Sequence, residues 1–217
     1  MNIIWHGQSC FEIVATPAKN SQMKIVIDPF SEEAGLRIPR LEADILLVTH
    51  DNYSRDSIKA VSDSPFLISG PGEYEIKNVF IQGVASSPGE KKEKDKDENT
   101  IYTIEAEDLK LCHLGNLIQK ELTEEQLEEI GDIDILMIPV GGSYTISAKE
   151  ALRIMAQIEP KITIPMNYAL PKLKIKLDRL DKFLKSLGIK TIDSLSKLTI
   201  KQKDLPSEEA KIVVLKP

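Results

Sequence analysis

The chain has 217 residues, of which 41% are hydrophobic and 29% charged, so it can bury the core of a globular domain. Its three histidines (His6, His50 and His113) and two cysteines (Cys10 and Cys112) exclude zinc-finger clusters, haem-attachment motifs and a disulfide framework. The net charge of −6 comes with no basic stretch, so we expect no nucleic-acid partner. We also expect no membrane partner and a cytoplasmic location, because no apolar run approaches membrane-spanning length and the N-terminus does not resemble a signal peptide.

Short apolar runs bounded by turn residues predict a series of strands in the first half of the chain. The predicted strands are Asn2–Trp5, Cys10–Ala15, Met23–Ile27, Asp44–Val48, Phe66–Ile68, Glu73–Ile76, Val79–Val84, Thr100–Glu105 and Leu109–His113. The last two are separated by Ala106-Glu107-Asp108, which suits a hairpin. Between two of these strands, the polar segment Ser86–Asn99 is predicted to be a flexible charged loop, or else a lid over a pocket.

The second half of the chain alternates predicted helices and strands. Capping boxes at Thr123 with Gln126 and at Ser147 with Glu150 predict two helix starts. A stripe of leucines predicts a third helix over Lys174–Leu187. The predicted strands here are Ile133–Pro139, Lys161–Pro165, Leu198–Lys201 and Lys211–Leu215. Early strands and later strand–helix units together indicate an α/β fold, with sheets packed on each other and helices outside.

A strand that ends in Thr49-His50-Asp51-Asn52-Tyr53-Ser54-Arg55 marks a candidate site, because strand ends present side chains at a sheet edge. Motifs along almost the whole chain accompany it: Trp5-His6-Gly7-Gln8-Ser9-Cys10-Phe11, Ile27-Asp28-Pro29-Phe30, Val48-Thr49-His50, Gly70-Pro71-Gly72-Glu73-Tyr74, Cys112-His113-Leu114-Gly115, Ile138-Pro139-Val140-Gly141-Gly142 and Ile164-Pro165-Met166. With these motifs the chain resembles the metallo-β-lactamase superfamily, in the branch of small metal-dependent hydrolases that includes the ascorbate-6-phosphate lactonase-like proteins. The resemblance implies one domain over residues 1–217, a four-layer αββα sandwich, and a zinc or manganese site at the shared edge of two sheets.

The metal ligands that the resemblance implies are mostly replaced in this chain. The family's ligand positions lie in a T-H-x-H-x-D-H motif and at three places later in the chain. Of all these positions, His50 is the one that keeps the family residue. The other positions carry Asn52, Ser54, Arg55, a residue close to Pro88, Asn116 and Asn167. Two divalent ions need carboxylates and imidazoles, whereas a guanidinium 4 Å from one ion would repel it by roughly 8 kcal/mol at a dielectric constant of about 20. The sequence therefore predicts that the metal site is lost, with no catalytic residue and no cofactor.

Two further residues stand beside the former site. The resemblance implies that Asp28 is a carboxylate next to the metals and that His113 precedes the bridging ligand without being one. We interpret His50 as a structural polar group bonded to Asp28, with a vestigial ligand as the alternative. The residues Asn52, Ser54, Arg55, Asn116 and Asn167 could instead form a new polar pocket, suited to an anionic or sugar-phosphate-like ligand.

These observations favour a hydrolase-like protein that acts by binding or assembly rather than by hydrolysis, with a small molecule or a protein as its unidentified partner. The alternative is a zinc- or manganese-dependent hydrolase of a small phosphorylated or lactone-like substrate, with one ion at His50. The sequence neither supports nor excludes a homo-oligomer.

Overall fold

The computed structural model of the chain describes residues 1–19, 21–31, 34–37, 39–50, 61–62, 64–86 and 99–217. In chain order, the strands are β1 (Asn2–Gly7), β2 (Cys10–Ala18), β3 (Ser21–Ile27), β4 (Leu41–Glu42), β5 (Ile45–Leu47), β6 (Val61–Ser62), β7 (Phe66–Ile68), β8 (Gly72–Ile76), β9 (Val79–Ser86), β10 (Asn99–Ala106), β11 (Leu109–His113), β12 (Ile135–Pro139), β13 (Ile162–Met166), β14 (Ser194–Leu195), β15 (Leu198–Thr199), β16 (Lys211–Ile212) and β17 (Val214–Leu215). The described α-helices are α1 (Glu124–Ile130), α2 (Ala148–Ile158) and α3 (Leu180–Ser186), and Gln202–Asp204 forms a 3₁₀ turn. None of the described helices is long and apolar enough to cross a membrane.

Two large sheets hold most of these strands. The first has the order β15-β1-β2-β3-β5-β7, antiparallel from β15 to β3 and parallel from β3 to β7. The second has the order β16-β13-β12-β11-β10-β9-β8, antiparallel from β8 to β11 and parallel from β11 to β16. The predicted mixed α/β architecture with two packed sheets is confirmed.

The main core lies between the two sheets. Burial alternates along β1, where Ile3 and Trp5 turn inward, as a strand with one covered face requires. Ile104 from the second sheet joins them in one apolar cluster. The fully buried Tyr102 donates its hydroxyl hydrogen to the carbonyl of Val48 at 3.0 Å, which ties the second sheet to the first.

The sheets are also joined directly at one edge. The backbone N–H of Thr100 donates to the carbonyl of Thr49 at 2.7 Å, and His50 and Asn99 form an isolated antiparallel bridge. The parallel strands β3, β5, β11, β12 and β13 all end near this edge. The chain segments that follow them are therefore gathered in one place.

Both predicted capping boxes are confirmed, because each cap side chain accepts a backbone hydrogen bond and each third-position side chain reaches back to the cap. The predicted helix over Lys174–Leu187 is wrong in its first part, since α3 begins only at Leu180. The backbone N–H groups of Lys174 and Asp178 donate instead to the carbonyls of Ala34 and Gly141, at 3.0 and 2.7 Å. These tertiary bonds replace the helical ones over that stretch. The predicted Ser86–Asn99 loop lies, from 87 to 98, outside the described residues.

Candidate functional site

Five polar residues meet at the joined edge of the two sheets, and we call them the edge cluster. They are Asp28 after β3, Thr49 and His50 after β5, Asn116 after β11 and Asn167 after β13. Parallel strands place their carboxyl ends at one sheet edge, which is where α/β proteins build their sites. Asp28, Thr49 and Asn167 are buried, whereas His50 and Asn116 are half-buried at the surface of the cluster.

A continuous chain of hydrogen bonds connects the edge cluster. Asp28 accepts the backbone N–H of Thr49 through Oδ1 at 2.9 Å and the Thr49 hydroxyl through Oδ2 at 2.6 Å. Since the Thr49 hydroxyl hydrogen goes to the carboxylate, Thr49 Oγ1 accepts from Nδ1 of His50 at 3.0 Å. Nδ2 of Asn116 lies 3.0 Å from Nε2 and 3.4 Å from Nδ1 of His50. With Nδ1–H directed to Thr49, Nε2 is the ring nitrogen that can accept from this amide.

The chain continues in the same direction to its other end. The side-chain oxygen of Asn116 accepts from Nδ2 of Asn167 at 2.7 Å. Every group from Asn167 to Asp28 therefore donates to the next one, and such a sequence of bonds strengthens its members mutually. With the Thr49 hydroxyl donating to Asp28, Nδ1 is the protonated ring nitrogen of His50.

Asn99 supports the edge cluster through side-chain hydrogen bonds to the residues packed beneath it. Its Oδ1 accepts the backbone N–H of Asn116 at 2.8 Å, while Nδ2 donates to the carbonyl of Leu114 at 3.1 Å and to Oγ of Ser86 at 3.0 Å. The side chain is buried, so these bonds have little competition from water. In sequence, Asn99 is only the last residue of a polar segment, and no local pattern marks it.

Gly115 allows the two sheets to approach at this point. Its φ of +60° is left-handed, and a Cβ here would lie 2.3 Å from Oδ1 of Asn99 and 2.7 Å from Cβ of Thr49. The backbone also takes left-handed conformations at Asp28 (φ 49°) and Asn167 (φ 55°). Non-glycine residues in this region cost about 1–2 kcal/mol each, and such strain concentrates at functional sites.

His113 lies beside the edge cluster and uses both ring nitrogens for structure. Its Nε2–H donates to the carbonyl of Ser9 at 2.9 Å, and its Nδ1 accepts the N–H of Gly115 at 3.1 Å. The ring of Phe11 meets it edge-on, with centroids 5.6 Å apart. Burial lowers the pKa of His113, so the ring is neutral at neutral pH and anchors the chain before Asn116.

The remaining candidate groups are explained by packing. His6 Nε2 lies 3.2 Å from a carboxylate oxygen of Glu12 on the neighbouring strand. Cys10 and Cys112 are buried free thiols. Burial raises the pKa of Cys112 to about 12, and burial together with the charge of Asp28 raises that of Cys10, so neither thiol is an activated nucleophile.

Of the predicted site residues, the structure brings together His50, Asn116 and Asn167, with Asp28 connected to them through Thr49. The predicted site residues Asn52, Ser54 and Arg55, and the position near Pro88, lie outside the described residues.

Two divalent ions, which the resemblance implies, would need several carboxylate and imidazole donors. Among the described residues no three His, Cys, Asp or Glu side chains form a group that could hold a metal ion. His50 and two neutral amides are what this part of the edge offers, with both oxygens of Asp28 engaged by Thr49.

Two joined sheets with polar residues gathered at their shared edge are the arrangement that the resemblance to the metallo-β-lactamase superfamily implies. Residues 2–167 match the family model described as a beta-lactamase superfamily domain. The chain therefore belongs to the metallo-β-lactamase superfamily, and the resemblance is confirmed.

Within that superfamily, the chain is similar to a group of proteins named UPF0173. It is 26% identical to a UPF0173 protein of Pyrococcus abyssi over 191 residues, covering 77% of this chain and 83% of the relative. It is also 26% identical to a UPF0173 metal-dependent hydrolase of Thermococcus onnurineus over 189 residues, covering 75% and 82%. A crystal structure from Thermotoga maritima, assigned as a Zn-dependent hydrolase of the metallo-β-lactamase superfamily, is 33% identical, with a TM-score of 0.80 over 99% of this chain and 97% of that one.

Proposed function

We propose that this protein is a metallo-β-lactamase-fold binding protein whose edge cluster replaces the dinuclear metal centre. The observation that carries the proposal is the one-directional hydrogen-bond chain from Asn167 to Asp28. Its members include His50, whose two ring nitrogens lie within 3.4 Å of the Asn116 amide nitrogen, and Asp28, whose two carboxylate oxygens each accept from Thr49. This imidazole and this carboxylate are the groups at this edge that a metal ion would use.

The identity of the two amides supports this proposal. Asn116 and Asn167 stand where the resemblance implies an aspartate and a histidine, and they bond to each other at 2.7 Å. A carboxamide is uncharged and is a weak zinc ligand, so it cannot neutralise a second divalent ion. The same pair is suited to a hydrogen-bonded cluster, because each amide both donates and accepts.

The ligand class that suits these groups is a small polar or anionic molecule. Each amide nitrogen carries a second hydrogen that can donate to a ligand oxygen. In the sequence, Ser54 and Arg55 follow His50 within five residues, and a guanidinium is well suited to phosphate or carboxylate. Inorganic phosphate is the simplest probe of this class.

A second candidate function rests on the names of the relatives, several of which are metal-dependent hydrolases. In this function, a single zinc or manganese ion near His50 would activate a water molecule for attack on a phosphorylated or lactone-like substrate. The binding function and the hydrolase function differ in whether His50 binds metal.

Metal analysis of the purified protein, followed by calorimetric titration with zinc and with manganese, tests the proposal. We expect the purified protein to contain much less than one metal ion per chain. We also expect His50→Ala to give the same zinc and manganese titrations as the natural chain. The matched variant Asn116→Asp/Asn167→His returns two ligand types to the same edge, and we expect it to bind zinc more tightly than the natural chain.

Near-stoichiometric metal that disappears in His50→Ala would overturn the proposal. Metal-dependent cleavage of phosphodiesters or lactones, lost in the same variant, would establish the hydrolase instead. Stabilisation against heat by inorganic phosphate, absent in Asn116→Ala, is the expected sign of the binding function.

A further inference from the structure

An acidic surface with an exposed aromatic ring lies on the outer face of the second sheet, away from the edge cluster. We call Glu73, Glu75, Phe80 and Glu105 the acidic face. Phe80 pairs with Glu75 on β8 and with Glu105 on β10, so the ring stands between two carboxylates in one row across the sheet. Phe80 is 49% exposed, so its ring is available for contact with another molecule.

The acidic face carries net negative charge: its three glutamates are accompanied by Lys110, which pairs with Glu105 across β10 and β11. In the described part of the chain, no salt bridge reaches Glu73, Glu75 or Glu105. Neighbouring strands are about 4.8 Å apart, so the backbones of Glu75 and Glu105 on either side of Phe80 are about 10 Å apart. A cation placed between the two carboxylates would be attracted by both and would rest on the ring face.

The chain also carries a surface with the complementary properties. We call Lys172–Lys176 the lysine segment: its three lysines are exposed and alternate with Leu173 and Ile175, the latter 38% exposed. In the described part of the chain, none of the three lysines forms a salt bridge. The N–H of Lys174 bonds to the carbonyl of Ala34 at 3.0 Å, so the backbone of the segment is held in place while its lysine side chains are exposed.

We propose that the acidic face of one molecule binds the lysine segment of a second copy. Three glutamates meet three lysines, and the exposed Ile175 packs on the exposed Phe80. The acidic face and Lys110 line a depression of about 390 Å³, into which we expect side chains of the segment to insert. Since the two surfaces are different patches of one chain, a twofold dimer contains this contact twice. Neither surface includes a residue of the edge cluster, so this proposal is independent of the proposed function.

Light scattering coupled to size-exclusion chromatography tests the proposal through the mass at several protein concentrations. We expect association at low salt, with the association constant falling by about tenfold or more at high salt because opposite charges carry the contact. Glu75→Lys/Glu105→Lys and Lys174→Glu/Lys176→Glu should each be monomeric by themselves. An equimolar mixture of the two variants should associate again, because in each mixed pair the reversed surfaces match.

The matched control is Glu128→Lys/Glu129→Lys, which makes the same charge change on exposed positions of α1 and should associate like the natural chain. Urea unfolding followed by the fluorescence of Trp5 establishes that each variant is folded. A natural chain that stays monomeric at low salt would overturn the proposal. An associating natural chain whose two reversed variants fail to associate when mixed would also overturn it, as would a control that disrupts association equally.

Discussion

Replacing Asn99 by aspartate tests whether this residue supports the edge cluster. Asn99→Asp keeps the shape of the side chain and the oxygen that accepts the N–H of Asn116 at 2.8 Å. It removes the two hydrogen bonds that Nδ2 donates, to the carbonyl of Leu114 and to Oγ of Ser86. In their place, a carboxylate oxygen faces the Leu114 carbonyl oxygen in a buried environment.

The expected loss of stability follows from these contacts. Each lost bond contributes about 1 kcal/mol, and leaving a buried carbonyl without its donor costs about 1–3 kcal/mol. We therefore expect Asn99→Asp to lower the free energy of unfolding by about 2–4 kcal/mol at neutral pH. When protonated, the introduced carboxyl can donate to Leu114 and recover one bond, so its pKa in the folded protein is raised above the unfolded value of about 3.9. The destabilisation caused by Asn99→Asp is therefore smallest below the unfolded pKa of about 3.9, and it grows as the pH rises through the folded pKa.

Urea unfolding between about pH 4.5 and 8 measures this effect, with Trp5 as the sole tryptophan and a probe that is only 1% exposed. Asn99→Ala is the control: it loses the same donors without introducing a charge, so its destabilisation should not depend on pH. A loss below about 0.5 kcal/mol for Asn99→Asp at pH 8, or the same pH profile in both variants, would refute the assigned role of Asn99.

Three further substitutions or reactions have definite expected outcomes. Partial burial opposes ionisation of Glu107, but hydrogen bonds from the N-terminal ammonium and a backbone N–H outweigh the burial and lower the pKa of this carboxyl. Glu107→Gln should therefore reduce stability above about pH 4.3 and have little effect once the pH is well below that value. Urea titrations at several pH values will measure this difference. A Cβ at Gly141 would lie 2.0 Å from a backbone carbonyl oxygen, so Gly141→Ala should cost about 1–3 kcal/mol of stability and lower Tm. A Cβ at Gly70 would have no atom within 4 Å, so Gly70→Ala should leave Tm unchanged. Equal Tm values for the two variants would contradict this prediction. Cys10 and Cys112 are buried, so a thiol reagent should modify them only as fast as the protein unfolds, and rapid labelling of the native protein would be the contrary result.

Local patterns in the sequence were sufficient for the elements that local interactions determine. The capping boxes at Thr123 and Ser147 have their partners three residues away, so the sequence contains the whole interaction. The start of α3 could not be predicted in this way. The stripe of leucines is compatible with a longer helix, and only the tertiary hydrogen bonds of Lys174 and Asp178 exclude it.

The same distinction applies to the edge cluster. His50, Asn116 and Asn167 could be identified from sequence, because motif positions around them resemble a known family. Thr49 and Asn99 could not be assigned their roles, since Asp28 is 21 residues from Thr49 and the partners of the Asn99 side chain are 13 to 17 residues away along the chain. A buried asparagine and a loop asparagine are the same letter in a sequence, and only the packing of the two sheets distinguishes them.

The direct backbone bond between Thr49 and Thr100 has a consequence for the dynamics of the site. Because this bond joins the two sheets inside the edge cluster, the cluster cannot open as a hinged lid while the sandwich stays closed. Separating its residues would require parting the sheets themselves, which exposes the main core to water. Amide hydrogens such as that of Thr100 should therefore belong to the most slowly exchanging class of the protein, and a ligand at this edge would slow the unfolding of the whole domain.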